Sequence, residues 1–418
     1  MIVNAPKGTI DITPKDVYKW HYIEKKLRDI SDKYNFKEIR TPNFEHTELF
    51  QRGVGDTTDV VSKEMYTFLD KGDRSITLRP EGTAGAARSF IETGMYAESQ
   101  PTKLYYIIPC YRYEKPQAGR LREFRQFGVE MYGSSLPSCD AEVISIAKRI
   151  FDTLGIKKLT LNINNIGCPE CRKEYNKKLL EFLNDKKESL CDTCKDRLLK
   201  NPMRIFDCKS SVCQNIMKDA PTMFDSVCDS CKTHFDKVCE YLDSMKIDYN
   251  IDKGIVRGLD YYTKTVFEFI STDIGAQGTV CGGGRYDNLI EEIGGKSMPG
   301  MGFAIGLERL LLVMESLDIP FDKEERIKLF VASLDDSADV FSQKLVSDLR
   351  ENNIKCEKDF MGRTLKAQLK YANKINAEYT VVIGEEEINN NKFNIKNMDS
   401  GETVLLNYDE LLNMFGGN

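Results

Sequence analysis

The sequence predicts an α+β chain: an antiparallel β-sheet flanked by helices, with a cysteine-rich segment inserted into it and a small α/β domain after it. Three observations carry that reading. Two apolar, aromatic runs, KLYYIIPCYRY (Lys103 to Tyr113) and FRQFGVEMYG (Phe124 to Gly133), flank a polar connector, as antiparallel strands with a long charged loop would. Three CxxC pairs crowd into residues 166–240. From Ile327 onward, strand and helix patterns alternate, which implies a layered α/β unit.

The elements of the last part follow in order. IKLFVAS (Ile327 to Ser333) reads as a buried strand, DVFSQKLVSDLRENN as an amphipathic helix, TLKAQLKYANKI as a second helix and YTVVIG (Tyr379 to Gly384) as a strand. Before them, ESLDIPFDKEER (Glu315 to Arg326) is polar, holds a proline and is the natural linker. The expected domains are therefore 1–325, interrupted by the insertion at 166–240, and 327–418.

At 418 residues the chain exceeds one compact core, and 41% hydrophobic with 30% charged residues describes an ordinary globular protein. A net charge of −6 rules out a uniformly basic surface, so any nucleic-acid contact must be local. MIVNAPKGTIDITP has no basic run leading into an apolar stretch, and no segment reaches about eighteen uninterrupted apolar residues. The expectation is a cytoplasmic protein, neither exported nor membrane-spanning. Thirteen cysteines in such a chain point to metal ligation rather than disulfides.

The chemistry concentrates in the hairpin. Arg112, Glu114, Arg120, Arg122 and Arg125 share one strand-loop-strand unit, more guanidinium groups than a solvated hairpin requires, and each offers planar donors suited to phosphate. Phe124 can stack a purine, while Gln126 and Glu130 lie at even spacing and share a face. GKS at Gly295 to Ser297 is no P-loop, because the glycine required five residues earlier is Ile290. Phosphate must be held by side chains. RGLDYYTKTVFEF (Arg257 to Phe269) sets an arginine at a turn before an alternating strand whose start carries Asp260, Tyr261 and Tyr262. Taken alone it is an ordinary strand; as part of a site, Arg257 is an electrophilic clamp. CGGGRYDNL permits close backbone approach to a ligand or neighbouring strand, and MPGMGFAIGLERLLL runs from strand to helix with Arg309 near the helix start. The three histidines, His21, His46 and His234, all lie outside these motifs. Catalysis should rest on positioning and electrostatics rather than an imidazole base.

In this order the motifs resemble those of class II aminoacyl-tRNA synthetases, and of the histidyl-tRNA synthetases in particular, over nearly all of the chain outside the insertion. FKEIRTPNFE resembles the first class motif, with Asn35 in place of the usual glycine; the arginine-rich hairpin resembles the second and GLERLLL the third. RGLDYY and GGGRYD are similar to two signatures of the histidine enzymes. The resemblance implies a homodimer that uses ATP and Mg²⁺ to activate L-histidine and charges tRNA(His). It implies Arg257 and Arg112 as catalytic residues, and Arg112, Glu114, Arg120, Phe124 and Arg309 around ATP. Glu81 and Thr83 of RPEGT, with Gln126, Glu130, Tyr261 and Tyr262, would hold histidine. Arg125, where many relatives carry histidine, is expected to tune the ATP side. A histidine-sensing relative, similar to the regulatory subunit of ATP phosphoribosyltransferase, would share the catalytic fold, but such subunits generally lose the arginine motifs and C-terminal domain that this chain retains.

Residues 327–418 resemble the family's anticodon-binding domain. On the helix after Phe360, Arg363, Lys366, Lys370 and Lys374 recur at three- and four-residue steps opposite Leu365, Leu369 and Ala372, giving a basic face for tRNA. In the insertion, eight cysteines would serve two structural Zn²⁺ ions. The expected sets are Cys168, Cys171, Cys191 and Cys194 for one ion, and Cys208, Cys213, Cys228 and Cys231 for the other. Other pairings, and His234 as a ligand, fit the sequence equally. Lying between catalytic motifs, the insertion is expected to pack over the active site and touch the tRNA acceptor arm.

Overall fold

In the computed structural model, which describes residues 3–415 apart from 56–57, 209, 272–277 and 323–324, the two apolar runs pair as an antiparallel hairpin from Thr102 opposite Tyr132 to Tyr111 opposite Glu123. In chain order the described strands of the first unit are β1 (Lys37–Glu38), β2 (Phe44–His46), β3 (Tyr66–Leu69), β4 (Ser75–Leu78), β5 (Thr102–Tyr111) and β6 (Glu123–Tyr132). They continue with β7 (Leu159–Asn165), β8 (Asn250–Ile251), β9 (Thr263–Ser271), β10 (Thr279–Arg285) and β11 (Gly300–Gly306). Eight of them form one sheet in the order β1-β5-β6-β11-β10-β9-β7-β8. Its body is antiparallel, and only the two-residue edge strands β1 and β8 pair in parallel. β2, β4 and β3 form a small separate sheet.

Strand alternation divides the large sheet into two unlike faces. Phe127, Val129, Phe267 and Phe303 join one core with the helices Val17–Lys33 and Pro137–Thr153. The first of these helices buries Trp20, Ile23, Leu27 and Ile30 at three- and four-residue steps, so a single apolar stripe meets the sheet. The residues between, including Phe124, Gln126 and Glu130, belong to the other face. Arg125 therefore faces the helices: its guanidinium lies 5.0 Å from the Trp20 ring centre and 3.7 Å from Glu308.

The chain divides into two compact units, Met1–Asp322 and Lys323–Asn418. Of the linker expected at Glu315 to Arg326, residues 323 and 324 lie outside the described residues, and its start belongs to the helix Leu307–Ser316. The second unit holds β12 (Leu329–Ser333), β13 (Cys356–Lys358), β14 (Tyr379–Ile383), β15 (Phe393–Asn397) and β16 (Thr403–Leu406), ordered β13-β12-β14-β15-β16. Its first three strands pair in parallel, as strand-helix alternation requires. The antiparallel edge of β15 and β16 was not legible in the sequence. No helix among the described residues is long and apolar enough to cross a membrane.

Candidate active site

The second face of the large sheet forms the floor of a cleft. Every residue expected around ATP and histidine lines it except Glu130: Arg112, Glu114, Arg120, Phe124, Arg257 and Arg309, with Glu81, Thr83, Gln126, Tyr261 and Tyr262. Each arginine is braced by a backbone carbonyl or a carboxylate. Arg112 donates from Nε to the Pro80 carbonyl at 2.8 Å and its guanidinium lies 5.4 Å from the Phe124 ring centre. Arg120 is paired with Glu114 at 2.6 Å. Arg309 donates to the carbonyls of Gly119 at 3.0 Å and Thr279 at 2.8 Å. Burial, together with the charges of Arg120, Arg112 and Arg257, holds the Arg309 guanidinium below its ordinary pKa. Guanidinium groups gathered this closely favour an anion among them.

Arg257 sits just before β9 and pairs with Glu268 on that strand, which also accepts from the Thr279 hydroxyl at 3.1 Å. Burial opposes its charge, but the Glu268 carboxylate outweighs burial and leaves Arg257 above its ordinary pKa. The glycine run of β10 supplies the space: a Cβ at Gly282 would lie 2.6 Å from Arg257 Cζ. The close approach expected of CGGG is made to the neighbouring strands at Gly283 and Gly284, against Gly302 and Thr265, and to an arginine side chain at Gly282.

Beside the arginines the cleft narrows to tyrosines and carboxyl groups. Glu81 accepts the backbone N–H groups of Thr83 and Ala84, both at 2.8 Å, at the start of the helix Thr83–Glu92. Glu130 lies behind the cleft wall, fully buried, accepting from the Tyr106 hydroxyl at 2.9 Å and from the Tyr286 hydroxyl. Burial pushes its carboxyl up to about 8, against the hydrogen bonds of Tyr286, Thr83 and Tyr106 and with the repulsion of Glu81. Gly302 on β11 makes the room, since a Cβ there would lie 2.6 Å from the Tyr286 hydroxyl.

Sequence reasoning missed Glu268, Tyr106 and Tyr286. A charged residue between the buried Phe267 and Phe269 was the available signal for Glu268. Tyr106 lies at even spacing on the hairpin's first strand, but only the strand register sets it near Glu130. Also unforeseen is a buried network behind the sheet, in which Asp140 accepts from Arg285 Nη2 at 2.6 Å and Nε at 2.8 Å, from Thr265 at 3.2 Å, and contacts His234. His234 is therefore engaged away from the thiols.

The thiols form two clusters, each with all sulfur atoms within 4.8 Å of one another, but not in the expected sets. Cys168 and Cys171 join Cys228 and Cys231, while Cys191 and Cys194 join Cys208 and Cys213. The pairing is nested: the ends of the insertion meet each other, and its middle closes on itself. Backbone N–H groups point at the sulfurs, from Cys228 to Cys171 at 3.1 Å and from Cys191 to Cys213 at 3.3 Å. All thirteen cysteines are free of disulfides.

In the second unit, the helix after Phe360 spans Leu365–Lys374 and exposes Lys366, Lys370 and Lys374. Arg363 lies before the helix, paired with Asp359 and stacked 4.4 Å over Tyr371. This corrects its expected place on the basic helical face.

Comparison with known proteins agrees with this geometry. The family described as histidyl-tRNA synthetase matches residues 8–310, and an anticodon binding domain family matches residues 328–417. The chain is 57% identical over 412 residues to a histidine–tRNA ligase of Acetivibrio thermocellus, covering 99% of both. It is 60% identical over 411 residues to that of Thermoanaerobacter sp. (strain X514), covering 98% of both. The crystal structure of apo Staphylococcus aureus histidyl-tRNA synthetase superposes with a TM-score of 0.86 at 43% identity, covering all of both chains. The chain belongs to the histidyl-tRNA synthetase family.

Proposed function

We propose that the chain is a histidine–tRNA ligase: it activates L-histidine with ATP to histidyl-adenylate and transfers the histidyl group to the 3′ end of tRNA(His). The observation that carries this is the convergence of Arg112, Arg120, Arg257 and Arg309 on one cleft beside a pocket of tyrosines and carboxyl groups. In the first step a histidine carboxylate oxygen attacks the α-phosphorus and pyrophosphate leaves. The nucleophile is already ionised at neutral pH, so no imidazole base is needed. Arg112 and Arg257 stabilise the charge that grows on the α-phosphate; Arg120 and Arg309 hold the outer phosphates, and Phe124 stacks on adenine. In the second step the tRNA ribose hydroxyl attacks the activated carbonyl and AMP departs.

Glu81, Thr83 and Gln126 seat the amino acid. Tyr261 and Tyr262, with Glu130 buried behind the cleft wall, read the imidazole, since a substrate without ring nitrogens would leave buried polar groups unmatched. Mg²⁺ accompanies ATP, and Glu114 and Glu308, both lining the cleft, offer the hard oxygen donors that would hold it. Each four-thiolate cluster matches the donor set of a structural Zn²⁺ site, and the ions would staple a small insertion. Lys366, Lys370 and Lys374 contact tRNA, with Arg363 at the edge of that surface. The functional unit is a homodimer in the cytoplasm, a reading that rests on family resemblance and on a thiol-rich chain without disulfides.

The test is histidine-dependent ATP–pyrophosphate exchange by the purified chain, with loss of exchange in Arg257→Ala at unchanged fold. Exchange that ignores histidine would defeat the reading.

A further inference from the structure

The loop that carries Arg257 and the two cleft tyrosines is gripped from the insertion, not only from the sheet. Arg172, one residue after Cys171, donates from Nη1 to the Asp260 carbonyl at 3.2 Å and from Nη2 to the Tyr262 carbonyl. Asn201 donates from Nδ2 to the Asp260 carboxylate at 3.0 Å. Both contacts come from segments that the thiol clusters bracket. Arg172 belongs to the helix Pro169–Asn184, whose first turn carries Cys168 and Cys171. Asn201 lies between Cys194 and Cys208, at the end of the helix Asp192–Lys200. Two backbone bonds of 2.7 Å, Ile166 to Lys264 and Lys264 to Gly167, join the root of the insertion to the first turn of strand after that loop.

We propose that the insertion is a positioning device for residues 257–262, with Arg172 and Asn201 as hydrogen-bonding contacts and one thiol cluster holding each in place. Cys168, Cys171, Cys228 and Cys231 fix the start of the Arg172 helix by joining the insertion's two ends. Cys191, Cys194, Cys208 and Cys213 fix the turn that presents Asn201. The helix that carries Arg172 buries Tyr175, Leu179 and Leu183, which fixes its body, and a four-thiolate metal site would fix its first turn, where Arg172 meets the two carbonyls. Arg172 and Asn201 are positioning residues: they touch the loop's backbone and Asp260, and they act on the substrate through Tyr261, Tyr262 and Arg257. The metals enter only as staples, and no reaction step passes through them.

The inference rests on the proposed activation of histidine, and the experiment separates the two. Wild-type protein is assayed first for histidine-dependent exchange; its absence would count against the activity and not reach the positioning claim. With exchange established, Arg172→Ala is expected to raise the KM for histidine about tenfold or more, the loss of a charged hydrogen-bond donor, while the KM for ATP stays within about twofold. Arg172→Lys should recover part of the loss. Asn201→Ala, which removes one neutral donor and should leave folding intact, is expected to shift the histidine KM in the same direction by about three- to tenfold. Zinc content, measured on the same samples, is expected near two ions per chain in the wild type and in both variants, matching the two clusters. Chelating both metals from the wild type should reproduce the kinetics of the double variant Arg172→Ala/Asn201→Ala, and chelation of that double variant should add little. Equal shifts in both KM values, unchanged kinetics in Asn201→Ala, or metal loss without a change in the histidine KM would overturn the proposal.

Discussion

Gly282→Ala isolates the role of the β10 glycine run. The substitution adds one methyl group on a strand whose backbone does not need a left-handed conformation at this position, so alanine is tolerated by the chain itself. What it meets is Arg257: the new carbon would lie 2.6 Å from Cζ and from Nη1, where ordinary contact begins at 3.4 Å. The guanidinium must therefore retreat by about 0.8 Å at Cζ and Nη1, the difference between those two distances, and further at Nη2, which lies closer still. It cannot do so and keep its pairing with Glu268, because that carboxylate is anchored on the adjacent strand. A displacement near 1 Å in a group that stabilises developing charge costs about 10²-fold in rate, or about 2.7 kcal/mol. The assay is histidine-dependent ATP–pyrophosphate exchange, with thermal unfolding as the control for fold. Arg257→Ala should lose about 10²- to 10³-fold, as removal of a preorganised charge donor does. The double variant Gly282→Ala/Arg257→Ala should be no slower than Arg257→Ala, because the methyl group then has nothing to displace. Gly282→Ala with exchange within about twofold of wild type, or a double variant in which the two losses multiply, would refute the reasoning.

Three further outcomes follow from other parts of the molecule. Glu130 is raised from 4.5 to about 8 by burial, so its favourable contribution to stability is complete below pH 4.5 and is lost as pH rises to about 8. Glu130→Gln should therefore gain in melting temperature relative to wild type between pH 5 and pH 8.5, while binding histidine more weakly; a difference that shrinks with pH would contradict this. Asp140→Asn leaves Arg285, which is fully buried, with Asp287 at 3.1 Å in place of two carboxylates, and should cost about 3 kcal/mol in denaturant unfolding, the low end for a broken buried pair. A loss below about 1 kcal/mol would show that the network is not structural. Lys366→Ala/Lys370→Ala should weaken tRNA binding and lower the slope of log affinity against log salt by about one per lysine, leaving exchange unchanged. An unaltered salt slope would remove that helix from the RNA surface.

Local signals reached far into this protein because much of its chemistry is local. The hairpin was legible from the alternation of apolar residues around a polar connector, and its arginine density marked the cleft that Arg112 and Arg120 line, although Arg125 packs on the other face. The parallel core of the second unit followed from strand-helix alternation, but its edge did not: Phe393–Asn397 offers only two apolar positions, Phe393 and Ile395, and Thr403–Leu406 is exposed over its first three residues. Arg125 was assigned with its neighbours although period-two alternation sends it to the opposite face, against Trp20. Arg363 was assigned to a helix that begins two residues later.

By itself the sequence determined which residues share a face of the hairpin strands, which of the longer apolar runs are helix or strand, and which spacings suit a metal or a phosphate. All are set by the backbone within a few residues of each side chain. Only the tertiary structure decided that Cys168 and Cys171 meet Cys228 and Cys231 across the whole insertion, that Glu130 lies behind the cleft between Tyr106 and Tyr286, and that Gly282 makes room for Arg257. These are contacts between residues far apart along the chain, where register and packing choose the partner, and short-range patterning is blind to that choice.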